Sequence, residues 1–206
     1  MSENKRKGLL IVLSAPSGCG KDTVLASLDG KIDNFRRSVS MTTRKKRDGE
    51  TDGLDYYFVT PEYFLERLSR GQILEHTNYN GNYYGTPKTT VDEWLKNGDT
   101  VILKIEVEGA KNIRSLYPDS VSIFLVPPSM SSLEKRLRKR NSDSDEEIQS
   151  RLTIAQNEMK NAVNYDYIVV NDKLETAVED ICAIINAERH RTSRSKNIIS
   201  EVISNA

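Results

Sequence analysis

LLIVLSAPSGCGKDT, running from Leu9 to Thr23, decides how the rest of the chain is read. Leu9 to Leu13 is an apolar run rich in branched side chains, the pattern of a buried strand. Ser14-Ala15-Pro16-Ser17-Gly18-Cys19-Gly20-Lys21 is a loop of small residues ending in a lysine. From Asp22 to Leu28 the apolar residues fall at helical spacing. Strand, glycine-bearing loop, lysine and helix in this order are the context a phosphate-binding loop requires. Gly18 and Gly20 let backbone N–H groups turn inward and approach an anion closely. The helix that follows points its positive end at the same place, and Lys21 adds a mobile charge.

The common form of this loop is G-x-x-x-x-G-K-[ST]. Here Ala15 stands at the first glycine, Asp22 follows Lys21, and Thr23 is one position further. Placement between a buried strand and a helix outweighs these departures, against the alternative of a structural turn that happens to hold a lysine. Cys19 lies beside Lys21 and a helix start, an environment that can lower a thiol pKa, while its redox sensitivity is not legible in the sequence.

The 206 residues suffice for one α/β domain with small insertions. Thirty basic and thirty acidic residues balance to zero, which argues against a general nucleic-acid binder. The two cysteines, Cys19 and Cys182, lie in a loop and a late helix, so a reducing compartment is expected rather than a structural disulfide. No stretch approaches the roughly 20 apolar residues of a membrane span. MSENKRKG leads straight into the first strand without an apolar signal segment, so a soluble, cytoplasmic protein with no membrane partner is expected.

Phe35–Met41 and Tyr56–Val59 read as strands around the charged loop Thr42–Asp55. Thr60-Pro61 opens a helix that Gly71 closes. Ile73–Tyr84 reads as two strands around an Asn80-Gly81 turn, and Thr86-Pro87 starts a helix carrying Val91, Trp94 and Leu95. Strands are expected at Thr100–Val107, Ser120–Val126 and Tyr165–Val170. Ser131–Arg140 is a basic helix, and Asn141–Ser144 a polar break. Ser144–Glu147 is a capping box leading a helix whose buried stripe is Ile148, Leu152, Ala155, Met159 and Val163. Leu174–Ile185 is the last helix, and the tail after Glu188 reads as polar and frayed. The result is an α/β fold, a parallel sheet flanked by helices, with a small mixed lobe inserted and a helical lid. The expected boundaries are 1–35, 87–129 and 152–206 for the core, 36–86 for the lobe and 130–151 for the lid.

A second constellation lies in that inserted lobe. Arg44 and Arg47 are three apart, flanked by hydroxyls and followed by Tyr56. Guanidinium forks plus a phenol suit a small dianion such as a nucleoside monophosphate, against the alternative of a solvated basic loop. From Thr42 to Phe58 the spacing T-[ST]-R-x-x-[KR]-x-x-[DE]-x-x-G-x-x-Y-x-[FY] resembles the guanylate kinase signature at every fixed position. The loop SAPSGCGKDT resembles that family's phosphate loop too, and the likeness runs from about Leu9 to Ile185.

The resemblance implies a P-loop core and the reaction ATP + GMP → ADP + GDP, with dGMP as a second acceptor, serving purine metabolism and GMP recycling. It implies that Ala15 to Thr23 and Asn171 hold ATP. It implies magnesium carried by ATP phosphates and waters, with no direct protein ligand unless Thr23 supplies one. Arg44, Arg47, Tyr56 and Tyr84 would hold the GMP phosphate, and Ser40, Glu75 and Thr86 would read guanine. Adenine lacks the N1–H that a carboxylate at Glu75 would accept, which gives selectivity on the order of 10⁴. Glu106 matches an acidic position used for GMP or metal water. The family usually carries a second carboxylate at the position of Lys104, and the lysine puts that contact in doubt. Period two places Lys104 and Glu106 on one strand face. Lys21, Arg44, Arg136, Arg140 and Arg151 would be catalytic, the last three arriving on closure to stabilise the charge-dispersed transition state. A catalytically inactive guanylate-kinase-like binding module, which would bind phosphorylated peptides, is the alternative. Another monophosphate kinase with a different base preference is a further one. A monomer or homodimer fits the sequence equally.

Overall fold

The computed structural model describes residues 7–79, 81–139 and 144–204. In chain order the elements are β1 (Leu9–Ser14), α1 (Lys21–Ser27), β2 (Phe35–Arg37), β3 (Met41–Thr42), β4 (Tyr57–Phe58), α2 (Pro61–Ser69), β5 (Ile73–Tyr79), β6 (Asn82–Pro87) and α3 (Lys88–Lys96). They continue as β7 (Thr100–Lys104), α4 (Val107–Leu116), β8 (Val121–Val126), α5 (Met130–Lys139), α6 (Asp145–Met159), β9 (Tyr167–Val170), α7 (Leu174–Arg189) and α8 (Thr192–Ser204).

Five strands form one parallel sheet in the order β2-β7-β1-β8-β9. Every residue of β1 is buried, because helices cover both faces of the sheet. Alternate residues of β1 feed opposite sides. Leu9, Ile11 and Leu13 pack with Val24, Val178 and Ile181 of α1 and α7, whereas Leu10 and Val12 pack with Val91, Ala110 and Ile113 of α3 and α4. A second, mixed sheet has the order β4-β3-β6-β5, with only β3 and β4 parallel in it. Phe64 of α2 is fully buried against it and stacks on Tyr83, ring centroids 5.3 Å apart. Among the described residues no helix is long and apolar enough to cross a membrane.

Several sequence expectations are corrected. Phe35–Met41 is two strands: Phe35–Arg37 pairs with β7 at the edge of the main sheet, and Met41 opens β3 in the second sheet. The strand expected over Thr100–Val107 stops at Lys104, and α4, which the sequence reading missed, begins at Val107. Thr86 and Pro87 end β6, so α3 starts only at Lys88. Val163 is 82% exposed, not part of a buried stripe. The α-helix ends at Met159 and a 3₁₀ turn over Lys160–Asn164 follows, whose tighter period turns Ala162 inward and Val163 outward. The tail is not frayed: Thr192–Ser204 is a helix, and Arg191 at its start lies 3.4 Å from the buried Glu188 carboxylate, which also accepts the Tyr167 hydroxyl at 2.7 Å. Asn80, Arg140 and the break at 141–143 lie outside the described residues.

Candidate active site

The first cradle is the loop between β1 and α1. At its start the Ser14 hydroxyl donates to the Ile105 carbonyl at 2.8 Å, joining the ends of β1 and the segment after β7. Gly18 and Gly20 both have positive φ, 89° and 83°, which an L side chain rarely adopts. A Cβ on Gly18 would lie 2.7 Å from Leu137 Cδ2, and one on Gly20 would lie 2.9 Å from Asn171 Nδ2. The loop is therefore pressed against α5 and the end of β9, and a side chain at either glycine would have to displace Leu137 or Asn171 as well as adopt the strained φ.

Three side chains hold the loop in place. The Asn171 amide donates to the Cys19 carbonyl at 2.7 Å. Arg136 Nη2 donates to the Asn171 carbonyl at 2.8 Å, and Arg151 Nη2 to Ser17 Oγ at 2.7 Å. Lys21 Nζ lies 3.2 Å from Glu106 Oε1. Glu106 is not on the strand face with Lys104, as expected, but at the N-cap position of α4, still in extended conformation. Cys19 is also corrected. Burial pushes its thiol up to about 12, outweighing the opposing pull of Arg136 and Lys21.

The second cradle lies on the mixed sheet. Arg44 makes a two-pronged contact with Glu50, at 3.0 and 2.7 Å, and the Arg47 backbone N–H donates to the same carboxylate at 2.8 Å. Held first by Arg44 and then by the Arg47 N–H, the Glu50 carboxyl falls to about 2. The Arg44 guanidinium lies 5.5 Å from the centroid of the Tyr56 ring, and Tyr56 meets Tyr84 edge-on at 5.9 Å. Arg44, Tyr56 and Tyr84 thus form one cluster, while the Arg47 side chain stays exposed. Ser40 is half-buried beside it, its carbonyl accepting from Tyr57 N–H at 2.9 Å.

Glu75 is buried on β5, and Thr86 on β6 donates its hydroxyl to Glu75 Oε1 at 2.6 Å. Burial raises the Glu75 pKa, the charge of Glu106 adds to the shift, and the Thr86 hydrogen bond opposes it. A buried carboxylate keeps its charge readily only when donors surround it. Thr86 supplies one to Oε1, and paired N–H donors of a ligand would supply more.

Two residues of the site went unnoticed in the sequence. Glu50, a fixed position of the signature, proves to be the clamp on Arg44. Glu158 on α6 reaches the phosphate loop, where the Ser17 backbone N–H meets it, and its pKa is raised by burial and by Glu106. It stands two helical turns after Arg151, the i, i+7 spacing of one helix face, which was the available signal.

Among the described residues no group of three or more His, Cys, Asp or Glu side chains could hold a metal ion. The groups present are of another kind: a glycine-bearing loop that turns backbone N–H groups inward and a few separate carboxylates such as Glu106. That set fits a hard divalent cation bound largely by phosphate oxygens and water.

A parallel sheet with a glycine-bearing, lysine-ended loop at the carboxyl end of its central strand, joined to a second, mixed sheet beside the Arg44–Tyr56–Tyr84 cluster, defines a phosphate-loop α/β protein. Residues 7–188 match the family model for guanylate kinase. A guanylate kinase of Lactococcus lactis is 50% identical over 190 residues, 92% of this chain and 93% of that protein. One from Clostridioides difficile is 42% identical over 196 residues, 95% of this chain and 96% of that one. The crystal structure of guanylate kinase from Anaplasma phagocytophilum superposes with a TM-score of 0.74 at 36% identity, covering 92% of this chain and 90% of that one. The chain belongs to the guanylate kinase family.

Proposed function

We propose that the chain transfers the γ-phosphoryl group of ATP to GMP, and to dGMP, giving ADP and GDP or dGDP. The observation that carries this is the pairing of the loop around Lys21 with a buried carboxylate, Glu75, set beside the Arg44–Tyr56–Tyr84 cluster. One cradle suits a polyphosphate. The other suits a base with N1–H and N2–H donors attached to a monophosphate.

In this reading Ala15 to Thr23 wrap the ATP phosphates with backbone N–H groups, and Asn171 meets the adenine. Arg44, Arg47, Tyr56 and Tyr84 orient the GMP phosphate, while Ser40, Glu75 and Thr86 read the guanine. Glu106 assists from the N-cap of α4. Lys21, Arg44, Arg136, Arg140 and Arg151 neutralise charge as the phosphoryl group moves. No side chain becomes phosphorylated, because the acceptor phosphate attacks directly and catalysis consists of positioning, charge neutralisation and water exclusion. Magnesium on the ATP phosphates would supply further charge neutralisation, with Thr23 its candidate protein contact.

We assign residues 1–35, 87–129 and 152–206 to the core, 36–86 to the acceptor lobe and 130–151 to a lid, with the first two residues of the lobe still pairing with β7. The working unit is a monomer or homodimer acting in the cytoplasm, where both nucleotides circulate, with no nucleic acid or membrane partner. Release of ADP measured by a coupled assay against GMP, dGMP, AMP, UMP and CMP tests the reading. Turnover confined to GMP and dGMP supports it. No turnover with any acceptor would leave the binding module, and a preference for another base would overturn the role of Glu75.

A further inference from the structure

Asp22 and Lys104 are the two charged residues at which this chain departs from the motifs it otherwise matches. They are 82 positions apart in sequence, yet Lys104 Nζ lies 2.6 Å from Asp22 Oδ1. On its other side the same ammonium lies 5.8 Å from the centroid of the Tyr56 ring. Arg44 lies against that ring too, at 5.5 Å. Lys104 therefore stands between the phosphate loop, through Asp22, and the acceptor cluster, through Tyr56.

We propose that Lys104 is a phosphate-contacting residue of the acceptor site, held by Asp22 until the acceptor nucleotide arrives. The inference rests on the reading of the second cradle as a GMP site. Three cations around the two cradles each have an acidic partner: Lys21 with Glu106, Arg44 with Glu50, and Lys104 with Asp22. A phosphate dianion has to draw such a cation from its partner or share it. Arg44 and Glu50 are enclosed, with side chains 14% and 20% exposed, so separating them would strand a partly desolvated charge. Asp22 is 78% exposed and water solvates it directly when its partner leaves. The Lys104 side chain is 29% exposed, so only the Asp22 end of the pair is open to water, and that end screens the attraction. A lysine ammonium on a flexible stem, with three donors and no fixed fork, can change partners without reorienting a plane. Of the two cations that lie against Tyr56, Lys104 is thus the one a phosphate can recruit at less cost.

The test is calorimetric titration of GMP into the full chain without ATP, alongside melting curves. Lys104→Met should weaken GMP about tenfold or more, the loss of a charge-assisted contact. Asp22→Asn, which frees the lysine, should tighten GMP by about threefold. Guanosine affinity, measured by competition, should not move in either variant, because guanosine carries no phosphate. If the pair only braces β7 against α1, both variants weaken GMP or neither does, and the proposal is overturned. A guanosine loss equal to the GMP loss overturns it as well. Should Lys104→Met fold poorly, Lys104→Gln keeps the length without the charge and must show the same loss, while Lys104→Arg must recover most of the affinity. Wild-type protein that takes up no GMP would sink the GMP reading and this inference together. Wild-type binding that Lys104→Met leaves intact would sink this inference alone.

Discussion

Gly109 gives the sharpest way to separate the fold from the base pocket. It sits in the first turn of α4, buried, where a Cβ would lie 2.6 Å from Glu75 Oε2 and 3.2 Å from its Cδ. Nothing in the helix forbids Gly109→Ala, and alanine at a helical position is favoured over glycine by about 0.5–1 kcal/mol. The new methyl must displace a carboxylate at the end of a flexible side chain, so the backbone need not move. Displacement breaks the 2.6 Å hydrogen bond from Thr86, a contact to a charged group worth about 1.5–3 kcal/mol. The loss exceeds the gain, so stability should fall by roughly 0.5–2.5 kcal/mol. Binding should suffer more. A guanine whose N1–H and N2–H donors lose their acceptor forfeits at least one charge-assisted bond, or roughly 10- to 100-fold in Kd. Titration with GMP and with an ATP analogue, together with a melting curve, reads all three quantities. Gly109→Ala protein with a wild-type Kd for GMP would refute the placement of Glu75 in the base pocket.

Other predictions follow from the same geometry. Because the pKa of Glu75 is raised above its ordinary value of 4.5, the carboxyl takes up protons on folding. Its contribution to stability is full below 4.5 and is lost as pH rises through the raised value, whereas GMP affinity, which needs the carboxylate, rises over the same window; Glu75→Gln should remove both slopes. Lys21→Met should abolish GDP formation and keep the melting temperature, and near-normal turnover would remove Lys21 from the reaction. With its pKa at about 12, Cys19 should be thiolate in only about one molecule in 10⁴ at pH 8, so alkylation at a rate typical of a free cysteine would contradict its burial.

The core of the fold was legible because its strands are short, apolar and bounded by loops, so each announced itself locally. The family was legible where a motif spans contiguous residues, as from Leu9 to Thr23 and from Thr42 to Phe58, and the candidate site was drawn from those same stretches. What escaped has a common cause. Lys104-Ile105-Glu106-Val107 alternates like a strand, and Gly109 weakens the helical signal that follows, so the start of α4 was hidden. Val163 continues the period of α6 on paper, but the switch to a 3₁₀ turn at Lys160 shifts the phase. Phe35–Arg37 and Met41–Thr42 form one extended run in sequence and two strands in space, because their partners lie on different sheets. The Lys104–Asp22 contact depends on β7 lying parallel to β1, which brings the end of one strand beside the loop that follows the other. No local pattern encodes that.

The partners of a cation separate structural arginines from those available to a substrate, and α5 carries both kinds. Arg138 is held between carboxylates, Glu134 Oε1 at 2.9 Å and Asp145. Moving it onto a phosphate would break two ion pairs. Arg136, half a turn away, donates instead to the backbone carbonyls of Asn171 and Asp172, at 2.8 and 3.4 Å. Exchanging a neutral carbonyl for a phosphate oxygen adds a charge pair and breaks none, so the exchange is favoured when negative charge develops nearby. Its present contacts also keep it beside Asn171, whose amide holds the Cys19 carbonyl of the phosphate loop. Removing a positively charged group that acts in this way costs on the order of 10³ in turnover. Arg136→Ala should lose about that much kcat, whereas Arg138→Ala should stay within about threefold of wild type. Equal losses in both variants, measured under saturating ATP and GMP, would show that partner type does not distinguish the two arginines and that the helix matters only as a support for the loop.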